Sequence, residues 1–307
     1  MSQSHPPEMR RAGYLGPEGT FTEEALLTST LPDSLEPVPL ASIYDTVTAL
    51  GAGSLDWALV PIENSLDGSI RVTLDLLADR AGEIEIVGES ALAVSHSLIA
   101  AEQLELAEID TVISHPQVPG QCSRFLRTEL AHARILTARS TAEAVRDVAS
   151  EPAGSERRGH RAALGTLLAA QIYGGTVLRA GVEDRADNET RFVWLARVRD
   201  SPGAPPLRAE PSDEWRTSLV FWGAGAESPG WLVRCLDEFA RREINLTKIE
   251  SRPRRERMGR YMFFADLGGR LGDEVVSAAI AGLAEVCEEV RVLGSYPAAG
   301  DPSRPAG

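Results

Sequence analysis

Cysteine is scarce in this chain: three in 307 residues, Cys122, Cys235 and Cys287, far apart and outside any C-x-x-C pattern. An odd, scattered set excludes a disulfide framework and a structural zinc site. Thiols left reduced fit a cytoplasmic protein. Histidine is nearly as scarce. His5, His96, His115, His132 and His160 form no H-x-H or H-x-x-x-H pair, so no metal is expected. Long apolar runs are missing too, and none approaches the ~20 residues of a membrane span. The first thirteen residues, MSQSHPPEMRRAG, lack the apolar stretch of a secretory signal and read as a tail. Positive charge is in deficit, with 31 Lys and Arg against 45 Asp and Glu, a net charge of −14. That excludes a general affinity for nucleic acid or anionic membrane, and any anionic ligand must be held by local groups. The basic run from Arg252 to Arg260 is the exception and reads as a solvated loop.

What is present is the composition of a globular protein, 43% hydrophobic and 25% charged. At this length two or three compact units are expected. Two segments lack apolar periodicity: 150–159, a surface loop, and 200–213, rich in Pro, Ser and Gly, a linker between domains. The expected units are therefore residues 11–199, a linker 200–215 and residues 216–297.

Before the linker, strand and helix signals alternate. Strands are expected at 11–15, 57–62, 84–95, 111–114 and 191–197. Helices are expected at 20–28, 43–52, 119–130, 141–148 and 161–173, with Thr20 or Thr22, Ser42 and Thr141 as caps. This alternation predicts an α/β unit with largely parallel sheets. Beyond the linker the order is strand 218–223, helix 230–243, strands 247–251 and 261–266, helix 273–288 and strand 291–295. That is β-α-β-β-α-β, the ferredoxin-like order.

Four polar clusters fall where strands should end, the place where ligands of α/β sheets sit. Gly16–Phe21 puts two glycines and a hydroxyl before a helix; it can bind an anion on backbone N–H groups or simply form a turn with an N-cap. Glu63, Asn64 and Ser65, with Asp67–Ser69 behind them, are more polar groups than capping needs. Ser114–Gln117 follows a strand, with Gln121 and Cys122 after it. Cys122 sits on a helix where small apolar residues pack and reads as core rather than a nucleophile. Residues 187–192 carry Asn188, Thr190 and Arg191 into an apolar strand. A guanidinium there can hold a carboxylate bidentately, and a threonine hydroxyl can donate to a departing oxygen.

The stretches GYLGPEGTFTEEA, VPIENSLDG, SHPQ…QC and DNETRF, in this order and spacing, resemble prephenate dehydratase. NLTKIESRP (Asn245–Pro253) resembles the phenylalanine-binding signature of the ACT domain fused to that enzyme. The resemblance runs from Gly13 to Tyr296. It implies a catalytic domain with a two-lobed fold like periplasmic binding proteins, with prephenate in the cleft, and a ferredoxin-like ACT regulatory domain. It implies Thr190 as the catalytic group and Thr20, Phe21, Glu63, Asn64, Ser65, Ser114, Gln121, Asn188, Arg191 and Phe192 as substrate-binding. Arg191 either grips the pyruvyl carboxylate or braces the loop, and Phe192 walls the place where carbon dioxide forms. In the regulatory domain it implies an effector site of Gly230, Trp231, Leu232 and Val233 with Glu250, Ser251, Arg252 and Pro253. Trp231 replaces a small residue of the family and either reshapes the pocket or packs between helices. The implied activity is a carbon–oxygen lyase of phenylalanine biosynthesis, free of cofactor and metal, regulated by L-phenylalanine, and assembled as a homodimer or homotetramer.

Two other readings share these motifs. Arogenate dehydratase performs the same elimination on the amino-acid counterpart. A non-catalytic amino-acid sensor would join the same domains without needing Thr190. A fused chorismate mutase would require a further helical segment of roughly ninety residues, and none is expected ahead of Gly13.

Overall fold

The computed structural model describes residues 9–152, 155, 160–208, 212–223, 228–256 and 258–299. The tail 1–8, most of the loop 150–159 and linker residues 209–211 lie outside the described residues. In chain order the first part comprises β1 (Arg11–Leu15), α1 (Phe21–Ser29), β2 (Glu36–Leu40), α2 (Ile43–Gly51), β3 (Trp57–Asn64), β4 (Gly68–Ser69), α3 (Arg71–Asp79) and β5 (Ile84–Ala93). A second group follows: β6 (Ser97–Ala100), β7 (Thr111–Ser114), α4 (Val118–Gln121), α5 (Ser123–Glu129), β8 (Arg134–Thr137), α6 (Thr141–Ala149), β9 (Arg161–Gly165), α7 (Leu167–Tyr173) and β10 (Thr176–Arg179). The chain then returns through β11 (Glu189–Arg197). It closes with β12 (Trp215–Trp222), α8 (Trp231–Ala240), β13 (Leu246–Pro253), β14 (Tyr261–Gly268), α9 (Glu274–Val286) and β15 (Glu289–Pro297).

Two sheets carry this mixed α/β fold, and neither is purely parallel. One runs β13-β14-β12-β15-β5-β11-β3-β1-β2; the other runs β10-β6-β9-β7-β8. β1 is parallel to β2 and β3, but β11 lies antiparallel between β3 and β5. In the smaller sheet β7, β8, β9 and β10 share one direction, and β6 runs antiparallel between β9 and β10. The chain crosses between the sheets near residues 94–96 and again near 183–188, leaving two lobes with a cleft between them.

Helix starts follow their caps. Thr20, Ser42 and Ser140 each accept from the backbone N–H three residues on, satisfying one of the free donors of a first turn. The α6 cap is thus Ser140, one residue ahead of the expected Thr141. The expected helix 161–173 is the largest departure: its first half is β9, a strand, and only α7 is helical. Ala162, Ala163 and Leu164 are fully buried between β6 and β7. A strand covered on both faces shows no alternation, and three small apolar residues read equally well as helix.

The C-terminal β-α-β-β-α-β unit is as expected in element order. Its own core gathers Leu219, Phe221, Trp231, Cys235, Phe239 and Leu283 between sheet and helices. The opposite face of its sheet does not meet water. Val220, Trp222, Met262, Phe264, Leu293 and Tyr296 share one core with Ile84, Ile86, Leu74, Leu77, Val193 and Leu195. Among the described residues one parallel register pair, Gly294 with Ile86, joins the C-terminal strands to β5 in the larger sheet. A Cβ on Gly294 would overlap the Ile86 carbonyl oxygen, so glycine is what permits the joint. The segment after Asp200 is tied down rather than loose. The Trp57 indole donates to the Gly203 carbonyl at 2.9 Å, the Leu31 N–H donates to the Pro206 carbonyl and the Arg208 N–H to the Ser29 carbonyl.

Candidate active site

The cleft begins at the turn before α1. Glu23 reaches back to accept from the Gly19 N–H and from the Tyr14 hydroxyl, while Thr20 caps the helix and donates to the Leu15 carbonyl at 2.9 Å. Gly19 has φ +82 and a Cβ there would lie 2.8 Å from the backbone of Ala169 in the other lobe. Thr166 and Tyr173 of that lobe donate to the carbonyls of Gly19 and Glu18 at 2.7 and 2.8 Å. This turn therefore needs glycine twice, for its φ and for the approach of the lobes.

Opposite it, β3 and β11 end side by side, with Thr190 paired to Asn64 and Arg191 to Glu63. Both strands run two residues beyond their expected ends, so these side chains alternate between faces. Asn64 and Thr190 face the cleft. Asn64 Nδ2 donates to Thr190 Oγ1 at 2.9 Å and to Asn188 Oδ1 at 2.8 Å, and its Oδ1 accepts the N–H groups of Leu66 and Asp67. The Thr190 hydroxyl thus accepts from Asn64 and keeps its own proton for the cleft. The chain of amides continues: Asn188 donates to Gln121 Oε1 at 3.2 Å, the same oxygen lies 2.9 Å from His96 Nε2, and Gln121 Nε2 donates to Asp67 at 3.0 Å. Burial holds the His96 imidazole below its ordinary pKa against the opposing pull of Gln121 and Glu183. It is therefore neutral, carrying its proton on Nε2 toward Gln121.

The cavity has a volume of about 840 Å³. Phe21, Phe192, Pro61, Ile70 and Val94 make an apolar wall beside Thr190. Facing it from the other lobe are Arg139, Ser140 and Thr141 at the start of α6, with Arg146 and Tyr173. Arg139 Nη2 binds Glu143 Oε1 at 2.6 Å, and that bond holds the Glu143 carboxyl below its ordinary pKa. The starts of α1 and α6 thus open into one cavity from opposite lobes, two partial positive charges across a space.

The expected site residues divide sharply. Thr20, Phe21, Asn64, Gln121, Thr190 and Phe192 line the cavity, and Asn188 stands directly behind them. Ser65 clasps the neighbouring loop, accepting from the Glu189 N–H at 3.0 Å and donating to the Asp187 carbonyl at 3.3 Å. Three residues point elsewhere. Ser114 is fully buried and donates to the Leu164 carbonyl at 2.9 Å. Glu63 pairs with Lys248 at 3.0 Å and Arg191 with Asp266 at 2.7 Å, both on the face away from the cleft, so Arg191 braces rather than grips. The Cys122 thiol is fully buried, and burial pushes it up to about 12, which leaves no thiolate. Asp67 and His115 belong to the polar clusters already singled out but carry no expected role; sequence reasoning missed His96, Arg139 and Arg146. For the last two a signal existed: S-T-A-E at 140–143 repeats the T-F-T-E pattern at 20–23, a capping box that marks a second helix start.

In the C-terminal unit, Gly230–Val233 line a second cavity of about 330 Å³ with Gly223, Tyr261 and Phe263. Trp231 both lines it and packs: its ring lies against Phe221 and Phe263, and its N–H donates to the Val286 carbonyl at 2.9 Å. Ser251 and Pro253 pair across the sheet with Phe263 and Tyr261, on the cavity side. Glu250 and Arg252 do not join them: Glu250 accepts from Ser69 at 3.1 Å and Arg252 grips Asp75 of α3 bidentately. The basic run is likewise not a solvated loop. Arg255 also reaches Asp75, Arg254 lies over the Trp222 ring and Arg260 faces Glu288, while Arg257 lies outside the described residues.

The family model described as prephenate dehydratase matches residues 12–200. A prephenate dehydratase of Mycobacteroides abscessus is 41% identical over 295 residues, covering 94% of this chain and 90% of that protein. The crystal structure of an Arthrobacter aurescens prephenate dehydratase with L-Phe superposes with a TM-score of 0.81 at 32% identity, over 97% of this chain and 92% of the other. A quorum-quenching acylase, GqqA, superposes with a TM-score of 0.78 at 26% identity, over 95% and 99%. With its match across both lobes and its likeness over nearly the whole length, the chain belongs to the prephenate dehydratase family.

Proposed function

We propose that the protein converts prephenate to phenylpyruvate, water and carbon dioxide, and that phenylalanine bound to the C-terminal unit, an ACT domain, regulates it. The observation that carries the reading is the Thr190 hydroxyl, which accepts from Asn64 and lines a cavity with one apolar wall and two helix N-termini, so that its own proton is free to be donated there. Prephenate is a dianion with a ring hydroxyl opposite a quaternary carbon that bears a carboxylate. Helix starts and Arg139 suit its two carboxylates. As the ring C–O bond breaks, Thr190 donates its proton to the leaving oxygen. The C–C bond to the carboxylate breaks with it, its electron pair enters the ring, and aromaticity drives the step. The net change consumes one proton per dianion, returned to Thr190 from water. Negative charge grows on Thr190 Oγ1 as its proton leaves, and the N–H of Asn64 already points at that oxygen. Phe192 and Phe21 keep water from the departing carboxylate, which favours neutral carbon dioxide.

The β-α-β-β-α-β order, the second cavity and the L-Phe in the Arthrobacter relative support the regulatory reading. Among the described residues β13 is an edge strand of its sheet, a place where a second copy can add its strand, in keeping with a homodimer or homotetramer. Amide hydrolysis of the acylase kind fits less well. The hydroxyls of Thr20, Ser140 and Thr190 bond to backbone and amide groups, not to a base that could activate them.

The test is product formation from prephenate and arogenate in parallel, with and without phenylalanine. Phenylpyruvate from prephenate, altered by phenylalanine, is expected. Turnover of arogenate alone would move the reading to arogenate dehydratase, and turnover of neither would leave a sensor.

A further inference from the structure

The chain contains a single lysine among its 31 basic residues, Lys248, and it is not on the surface. Its side chain is 6% exposed; the ammonium lies 3.0 Å from Glu63 Oε1 and donates to Ser69 Oγ at 2.7 Å. A compact ammonium with three donors suits two acceptors on neighbouring strands better than a planar fork does. On the neighbouring strand, Asp266 holds Arg191 Nη2 at 2.7 Å and accepts from Ser218 at 2.6 Å. Glu89 completes this second cluster, 3.7 Å from Arg191 Nε and bonded by Arg216. Lys248 and Asp266 are themselves register partners on β13 and β14. Their targets, Glu63 and Arg191, are register partners on β3 and β11.

The adjoining rung of that same ladder is Asn64 with Thr190. Two neighbouring rungs therefore face opposite ways. One presents the reacting hydroxyl and its amide to the cleft. The other is held by a cation and an anion from the C-terminal unit. Because β3 and β11 are bonded through both rungs, a shift of β13 against β14 must displace Thr190 against the bound ring. The same two strands carry Ser251, Pro253, Tyr261 and Phe263 beside the second cavity.

Resting on the prephenate reading, we propose that Lys248 and Asp266 are positioning residues for the elimination: from the C-terminal unit they hold Glu63 and Arg191, and through them the Asn64–Thr190 pair. Neither touches substrate, so their loss acts on turnover and leaves binding alone.

The experiment measures kcat and KM for prephenate in the full-length parent, Lys248→Met and Asp266→Asn, with melting temperature as a check on folding. A fractional-ångström misplacement of a catalytic group lowers kcat by about 10- to 100-fold, with KM held within about threefold, in both folded variants. Should Asp266→Asn fail to fold, Lys248→Met on the edge strand decides alone. Parent-like kcat in a folded Lys248→Met, or a loss carried wholly by KM, overturns the positioning role while the parent's own activity upholds the function. An inactive parent overturns both.

Discussion

At the scale of single residues, Thr190 is held by neutral amides, while the charged groups of the cavity stand on its other walls. Asn64 spends its amide N–H groups on Thr190 and Asn188 and its carbonyl on two backbone N–H groups. Asn64→Ala removes both the donor to Thr190 and the anchor of the turn behind it; kcat is expected to fall by about 10²-fold, the scale of one lost oxyanion donor. Asn64→Asp keeps the shape but replaces the donor with an acceptor, and should lose at least as much. Steady-state kinetics on the two variants check this, and a parent-like rate in Asn64→Asp would remove Asn64 from the mechanism. His96 makes a second, pH-linked prediction. Burial lowers its pKa from the ordinary 6.5, so below pH 6.5 the unfolded chain takes up a proton that the folded chain refuses. The stability this contributes is present above pH 6.5 and is lost as pH falls toward the folded pKa. Chemical denaturation across this range should show His96→Gln losing less stability on acidification than the parent; parallel curves would contradict it.

At the scale of elements, the informative unit is the turn or the strand end. Gly19→Ala places a side chain at φ +82 against the Ala169 backbone. It should destabilise the protein by about 1–3 kcal/mol, the cost of a strained non-glycine conformation, and lower turnover by parting the lobes. Thermal unfolding with a parallel activity assay checks both effects. Strand ends also decided what the sequence could reveal. The cluster at 63–65 and the one at 187–192 were legible as site signals because polar residues crowd the ends of apolar runs. Which of them face the ligand is not legible, since the expected strands stop at Ile62 and begin at Arg191, and the two-residue alternation does not reach Glu63, Asn64 or Thr190 beyond those ends. Once β3 and β11 are extended by two residues, alternation alone sends Asn64 and Thr190 one way and Glu63 and Arg191 the other. Ser114 closes a strand that is as expected, but β7 is buried along its whole length and the Ser114 hydroxyl turns to the Leu164 carbonyl in the core. β9 was read as helix because burial on both faces erases the pattern that separates the two.

At the scale of the whole molecule, the order of elements was readable on both sides of the segment 200–213, and the relation between the two parts was not. Polar composition suggested a spacer, yet that segment docks on the first lobe, and the C-terminal sheet shares a core with β5, α3 and β11. Nothing local in the sequence marks Val220, Met262 and Tyr296 as facing a distant helix instead of water. A chain ended after Asp200 would uncover Ile84, Ile86 and Leu77 together. It should therefore lose the fold of the first lobe, and not merely its regulation or its oligomeric state. Circular dichroism and size-exclusion of the truncated chain check this; a compact, cooperatively folding product would show that the two parts are independent.

In the proposed reaction the Thr190 proton assists loss of the ring hydroxyl of prephenate. The direct measurement is single-turnover formation of phenylpyruvate by the parent and by Thr190→Ala at saturating prephenate. The account predicts that Thr190→Ala folds and binds prephenate but reacts slower by about 10²–10⁴-fold, the usual contribution of a positioned proton donor. Phenylpyruvate formed by Thr190→Ala at the parent rate would contradict it.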